Sequence, residues 1–267
     1  MPTAPQPQLV ARLRAAGCVF AEEEAALLSE AVEGHPDATG ELERLVTRRV
    51  AGEPLEQLVG WAEFAGLRLV VEPGVFVPRR RTELLAAEAV RLARAAARPD
   101  HVPVVVDLCC GAGAIGAAVL DAARPVELVA ADVDPAAVRA ARRNLEPLGA
   151  RVFEGDLFDT LPEDLRGRVD VLAVNAPYVP TAEIAMMPPE ARDHEARIAL
   201  DGGADGLDVH RRVAACAREW LAPGGHVLIE TSRRQAPTTA SLVEAGGLEA
   251  RVVHDPEIAG TVVIGQA

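Results

Sequence analysis

Asn175-Ala176-Pro177-Tyr178 is a segment whose residue types fit a demanding piece of chemistry. An amide nitrogen has its lone pair delocalised into a carbonyl and is a poor nucleophile. The Asn175 side-chain carbonyl can accept one N–H of such a nitrogen, and a backbone carbonyl near Pro177 can accept the other. Two acceptors fix the nitrogen's orientation and favour its rehybridising toward a tetrahedral centre as an electrophile arrives. Proximity and alignment of this kind are worth up to ~7–11 kcal/mol of barrier. Tyr178, the only tyrosine in the chain, can lay its ring against a cation or a flat acceptor. No strong base is required, because the nitrogen loses its proton readily after alkylation. Taken alone, the four residues could also be a strand-ending turn, where Asn and Pro are common.

A second segment supplies the electrophile's site. Asp107-Leu108-Cys109-Cys110-Gly111-Ala112-Gly113-Ala114-Ile115-Gly116 lies between an apolar strand and a helix. Glycines there let the backbone turn sharply and approach a ligand closely. Gly111, Gly113 and Gly116 also match the G-x-G-x-x-G of dinucleotide sites, and Asp132 ends the next strand. Asp107 separates the two readings. Its carboxylate would repel a pyrophosphate at this turn and attract the ammonium group of S-adenosyl-L-methionine. Asp132 would take the ribose hydroxyls, and in Gly155-Asp156-Leu157-Phe158 the Asp156 carboxylate would bond the adenine amine with Leu157 against the base.

The elements that must position these residues are legible as patterns. Residues from about Gln8 to Gly52 carry helical apolar periodicity in three runs, with Leu9 and Leu13, then Leu28 and Val32, then Leu42, Leu45, Val46 and Arg49. Two short strands around Pro73-Gly74, from Phe64 to Pro78, read as a β-hairpin. A helix follows from Thr82, placed as its N-cap, to about Ala97. From Val102 apolar strands alternate with helices, and a hairpin at Leu248–Val253 and Thr261–Ile264 closes the chain. This predicts an α/β, Rossmann-like fold: a mostly parallel seven-stranded sheet with helices on both faces. Domains are expected at 1–59 (a small helical bundle), 60–80 (hairpin linker) and 81–267 (the α/β unit with the two segments above).

Composition removes several alternatives. A net charge of −13 argues against a sequence-independent grip on phosphate backbones. All 27 basic residues are arginine, which excludes a Walker-type loop and Schiff-base chemistry, since both need a lysine amine. No two of Cys18, Cys109, Cys110 and Cys216 are spaced like zinc ligands, so reduced thiols and no metal are expected. No apolar run approaches the ~20 residues that span a bilayer. Pro2, Pro5 and Pro7 replace the basic and apolar segments of a secretory leader, and a cytoplasmic protein is expected.

With these residues in hand, the sequence resembles the protein-glutamine methyltransferases that modify the Gly-Gly-Gln glutamine of peptide chain release factors. The resemblance runs through Glu53-Pro54-Leu55, Val77-Pro78-Arg79, Thr82-Glu83-Leu84-Leu85, the glycine turn, Asp132, Gly155 to Phe158, Asn175 to Tyr178, His194-Glu195, Pro223-Gly224-Gly225 and Glu230. It implies that Cys109, Cys110, Gly111, Ala112 and Gly113, with Asp132 and Leu157, contact S-adenosyl-L-methionine. It implies that Asn175, Ala176, Pro177 and Tyr178 hold the glutamine, with Asn175 also bordering the cofactor. The helical N-terminal part would dock a protein substrate, a release factor, with no direct nucleic-acid or membrane binding. The chain departs from the family pattern at four places. Ala176 replaces the first proline of N-P-P-Y, Cys109-Cys110 replace Gly-Thr, Ala196 replaces proline and Thr261 replaces arginine. Two other functions fit the same loop: methylation of an exocyclic adenine amine, which needs a basic groove and base extrusion, and cofactor binding without catalysis.

Overall fold

A computed structural model describes residues 7–267; residues 1–6, with Pro2 and Pro5 of the leader argument, lie outside the described part. Helices α1 (Pro7–Ala15), α2 (Ala21–Ala31), α3 (Ala38–Val50) and α4 (Leu55–Val59) bring Leu13, Leu28, Leu45, Val46 and Leu58 into one apolar cluster. Asp37 starts α3 by accepting the Gly40 N–H at 3.0 Å, which satisfies a donor the helix cannot. The short α4 escaped the periodicity because five residues do not establish a helical period.

The hairpin differs from expectation. Its strands are β1 (Trp61–Phe64) and β2 (Leu67–Val70), joined through Ala65-Gly66 rather than Pro73-Gly74. Ala65 and Gly66 both have positive φ, 51° and 78°, the mirror-image turn whose twist suits a tight hairpin. Pro73-Gly74 instead turns the chain toward Glu195, with Gly74 bridging that residue.

Helix α5 (Glu83–Ala96) leads into β3 (Val104–Leu108), α6 (Ala114–Ala122), β4 (Glu127–Asp132), α7 (Pro135–Leu145) and β5 (Arg151–Glu154). After β6 (Val169–Val174) come α8 (Pro189–His194), α9 (Asp208–Trp220), β7 (Leu221–Glu230), α10 (Ala236–Ala245), β8 (Glu249–Asp255) and β9 (Gly260–Gln266). The seven-stranded sheet runs β5-β4-β3-β6-β7-β9-β8. Its first five strands are parallel, and β9 lies antiparallel between β7 and β8.

Alternation along the strands builds two cores. Val105, Ala130, Val171 and Leu228 face α5, α6 and α7 through Leu85, Ala89, Ile115 and Leu145. Val104, Val106, Leu172 and Val227 face α9 and α10 through Val213, Ala217, Trp220 and Val243. Both faces of the sheet are therefore covered, as near-continuous apolar strands demand. No helix among the described residues is long and apolar enough to cross a membrane.

The expected N-cap role of Thr82 is corrected. Thr82 has helical φ/ψ and makes no capping hydrogen bond; it is buried, and its hydroxyl accepts from Asn175 Nδ2 at 3.5 Å. Tertiary partners outcompete the helix end for this hydroxyl.

Candidate functional site

Strand order reverses at β3, which lies between β4 and β6, and this is where open α/β sheets form ligand crevices. A cavity of about 450 Å³ opens there, lined by the loops that follow β3, β4, β5 and β6. Cys109, Cys110, Gly111, Ala112, Asp132, Asp156, Leu157, Asn175, Ala176, Pro177 and Tyr178 all face it. A sequence reading spread over nearly 70 positions thus converges on one cavity.

The glycine turn is a run of left-handed residues. Cys109, Gly111 and Gly113 have φ of 55°, 55° and 80°. A Cβ at Gly111 would meet no protein atom within 4 Å, so the space beside this backbone belongs to the cavity. Cys109 stands where the family pattern has glycine, and the left-handed conformation explains that preference, since a Cβ there costs roughly 1–2 kcal/mol. Burial, reinforced by the charge of Asp132, pushes both the Cys109 and Cys110 thiols up, so they remain protonated and act as small apolar surface.

Asp132 ends β4 with Oδ2 accepting the Gly111 N–H at 2.8 Å and Oδ1 accepting the Asp134 N–H at 2.9 Å. Each oxygen keeps a lone pair for a ligand hydroxyl. Leu157 has φ of 50° and is buried, while Asp156 accepts from Arg212 at 2.8 Å. The left-handed Leu157 is backbone strain at the cavity wall.

Two expected contacts lie behind the wall. Asp107 and Gly113 do not line the cavity. Asp107 is fully buried, its Oδ2 accepts the Gly116 N–H at 2.9 Å, and burial pushes its carboxyl up to about 8. Asp107 thus stands behind the cavity lining, not in the direct contact with an ammonium group that the sequence argument assigned to it, and its Oδ1 has no partner among the described residues. Its visible task is to tie the glycine turn to α6. At Gly113 a Cβ would press on Leu145, so this glycine serves close packing of the turn on α7.

The acceptor loop is held from several sides. The Tyr178 hydroxyl donates to Glu230 Oε1 at 3.2 Å, and the Arg81 Nε donates to the same oxygen at 3.3 Å. Burial and the neighbouring Glu230 charge push the Tyr178 phenol well above its usual range, so it stays a donor. The carbonyls of Tyr178 and Val179 are engaged, by Gln235 Nε2 at 2.9 Å and by the Gly202 N–H at 2.9 Å. Those of Ala176 and Pro177 accept no hydrogen bond from the described residues, and the Pro177 oxygen is packed against Gly202. Glu230, Arg81 and Thr82 were not singled out as site residues. For Glu230 the available signal was an ionisable residue ending an apolar strand, the same signal that identified Asp132; Arg81 and Thr82, in the turn before α5, carried none.

Gly206 lies beneath this loop with φ of 78°, and a Cβ there would collide with the Tyr178 carbonyl and with Gln235 Nε2. Gly206→Ala is expected to destabilise the fold by roughly 1–3 kcal/mol, measured by denaturant unfolding. An unchanged midpoint would show that the loop yields freely.

The segment from Thr181 to Asp208 forms the outer wall, with Met187, Glu190 and Ile198 facing the cavity. It is tied at both ends. The Val179 N–H donates to Leu200 O at 3.1 Å, and Glu195 Oε1 accepts from the Val77 N–H and from Arg79. Ala196 donates its N–H to the Gly74 carbonyl at 3.0 Å, a bond that proline at this position could not make. Glu190 also pairs with Arg49 of α3, which joins the helical segment to the cavity wall.

Residues 67–191 match the family model described as the methyltransferase small domain. Over 235 residues the chain is 37% identical to the release factor glutamine methyltransferase of Geobacter sulfurreducens, covering 87% of this chain and 80% of that one. It is 36% identical to the enzyme of the same name from Deinococcus radiodurans, covering 94% and 88%. A 4-amino-L-phenylalanine/4-methylamino-L-phenylalanine methyltransferase of Streptomyces pristinaespiralis is 38% identical, covering 76% and 69%. Among solved structures, a methyltransferase from Pyrococcus furiosus superposes with a TM-score of 0.56 at 16% identity, covering 82% of this chain and 96% of that one, which speaks for the fold. Sequence matches of this length and coverage settle the family: the chain belongs to the release factor glutamine methyltransferases.

Proposed function

We propose that this protein transfers a methyl group from S-adenosyl-L-methionine to the side-chain amide nitrogen of a protein glutamine. The substrate in this reading is the Gly-Gly-Gln glutamine of a peptide chain release factor, met in the cytoplasm. One observation carries the reading: the Asn175–Tyr178 loop and the Cys109–Ala112 turn line the same cavity.

The residues present fit the cofactor. Gly111 leaves open space for close approach, Asp132 retains acceptors for a ribose diol, and Leu157 and Ile115 offer apolar surface for a base. When bound, S-adenosyl-L-methionine supplies an electrophilic methyl group carried on a sulfonium. The chain's own task is to hold the nucleophile. Asn175 Oδ1 accepts one amide N–H, and the carbonyl of Ala176, which no described residue engages, accepts the other, so the nitrogen lone pair is turned out of conjugation. Pro177 keeps Ala176 in an extended conformation although the family's first proline is absent. Tyr178, anchored through its hydroxyl, forms a fixed wall. In the same reading residues 1–59 dock the protein substrate, 60–80 link, and 81–267 carry the transfer; the Arg49–Glu190 pair supports a coupling between docking and transfer parts.

The test is incubation of the full chain with labelled S-adenosyl-L-methionine and a release factor, then mass spectrometry of the Gly-Gly-Gln peptide. Label on that glutamine is the expected result. Label that nuclease removes, or label on 4-amino-L-phenylalanine in place of protein, would replace the substrate assignment. Asp132→Ala should weaken cofactor binding roughly 10- to 100-fold, because a hydrogen bond to a charged group is worth about 1.5–3 kcal/mol. Calorimetric titration reads this directly, and an unchanged Kd would remove Asp132 from the site.

A further inference from the structure

A planar side-chain amide can sit in either of two orientations that differ little in shape, and only one of them suits the proposed reaction. Asn175 must turn its carbonyl, not its NH2, toward the substrate. Something must therefore choose between the two.

The choice can be traced outward from the cavity. Asn175 Nδ2 lies 3.5 Å from Thr82 Oγ1. Thr82 is 3% exposed, and its hydroxyl faces the Glu230 carboxylate. Glu230 is 1% exposed. Its Oε1 already accepts from Tyr178 and Arg81, while its buried Oε2 has no donor at hydrogen-bond distance among the described residues. A carboxylate can only accept. The Thr82 hydroxyl donates to no other acceptor among the described residues, so its proton is free to turn to this carboxylate, and the Thr82 oxygen is left as an acceptor for the Asn175 NH2.

We propose that Glu230 and Thr82 are positioning residues which, through this one-directional hydrogen-bond chain, hold the Asn175 carbonyl toward the acceptor nitrogen. Burial pushes the Glu230 carboxyl up, and Arg81 opposes that shift: its guanidinium lies beside the carboxylate and has no acceptor role of its own. Three elements meet in this chain, the start of α5, the loop after β6 and the end of β7, so it also locks the acceptor loop to the sheet. The inference rests on the proposed glutamine methylation, and the experiment separates the two.

Full-chain wild type, Thr82→Val, Thr82→Ser, Glu230→Gln and the Thr82→Val/Glu230→Gln pair are assayed on a release factor, with calorimetric cofactor binding and thermal melting alongside. Valine keeps the shape of threonine and lacks the hydroxyl, so kcat should fall about 10- to 100-fold with cofactor Kd little changed. Serine keeps the hydroxyl and should return kcat to within about threefold of wild type. In Glu230→Gln, Tyr178 and Arg81 claim the amide oxygen, and the new NH2 faces Thr82 and reverses the chain. This variant should lose kcat by a similar factor, and the pair should be no slower than the slower single variant. Wild-type kcat in Thr82→Val, or additive losses in the pair, would overturn the inference alone. A wild-type chain that binds S-adenosyl-L-methionine yet methylates no release factor would overturn the function and the inference together.

Discussion

Asn175→Ala is expected to reduce methyl transfer to a release factor about 100- to 1,000-fold, the range found when one positioned hydrogen-bonding group is removed from an active site. The loss should fall on kcat, because the bond strengthens as the amide nitrogen leaves conjugation. Cofactor binding should weaken by less than about tenfold, the share of one ordinary hydrogen bond. Folding should be little affected. Asn175 is half-buried, and among the described residues its side chain makes a single long hydrogen bond, to Thr82 Oγ1 at 3.5 Å. Steady-state kinetics with calorimetric titration separates the two quantities. Residual activity above a tenth of wild type would place the orienting acceptor elsewhere in the loop.

Arg49→Met should produce the largest loss of stability. Arg49 is 9% exposed and donates to both Glu24 oxygens, to Glu190 and to the Glu53 carbonyl. Burial opposes its charge, but the two carboxylates outweigh that cost and hold the guanidinium charged. Methionine fills similar volume and leaves Glu24, itself 8% exposed, buried without a partner. Breaking such a pair costs about 3–5 kcal/mol. Arg49→Lys should recover only part of it, since one ammonium cannot reproduce a forked contact with several acceptors. Denaturant unfolding gives the value, and a loss under about 1 kcal/mol would mean that the pair behaves as a solvated surface bridge. Glu190 lines the cavity, so release of this joint should also raise KM for the protein substrate.

Apolar alternation in Val104–Leu108, Val126–Ala131 and Val169–Val174 made the parallel sheet legible, because strands covered on both faces must be apolar throughout. Most of the cavity lining was legible for a related reason: polar residues that interrupt such runs at the carboxyl ends of strands have few structural tasks there. What escaped depends on distance along the chain. Arg81 and Glu230 are separated by 149 positions and meet only after the sheet has formed. Thr82 satisfied every local rule for a helix cap, and a buried carboxylate facing it overrode them. Ala65 has no preference for positive φ, so the hairpin turn was assigned to the stronger local signal at Pro73-Gly74. Asp107 had the right position and the wrong surroundings, because burial cannot be read from a four-residue spacing.

The place of β9 between β7 and β8 has a consequence for how the protein is made. Synthesis runs from the N-terminus, so β8 leaves the ribosome before β9 does. Among the described residues β8 pairs with β9 alone. A nascent chain grown to Asp255 still carries β7 as an open edge, with Val227 and Ile229 awaiting their cover. Exposed apolar edges of this kind invite pairing with other chains. The free side of the strand that bears Glu230 is thus covered once β9 has emerged, after β1 to β8 have left the ribosome.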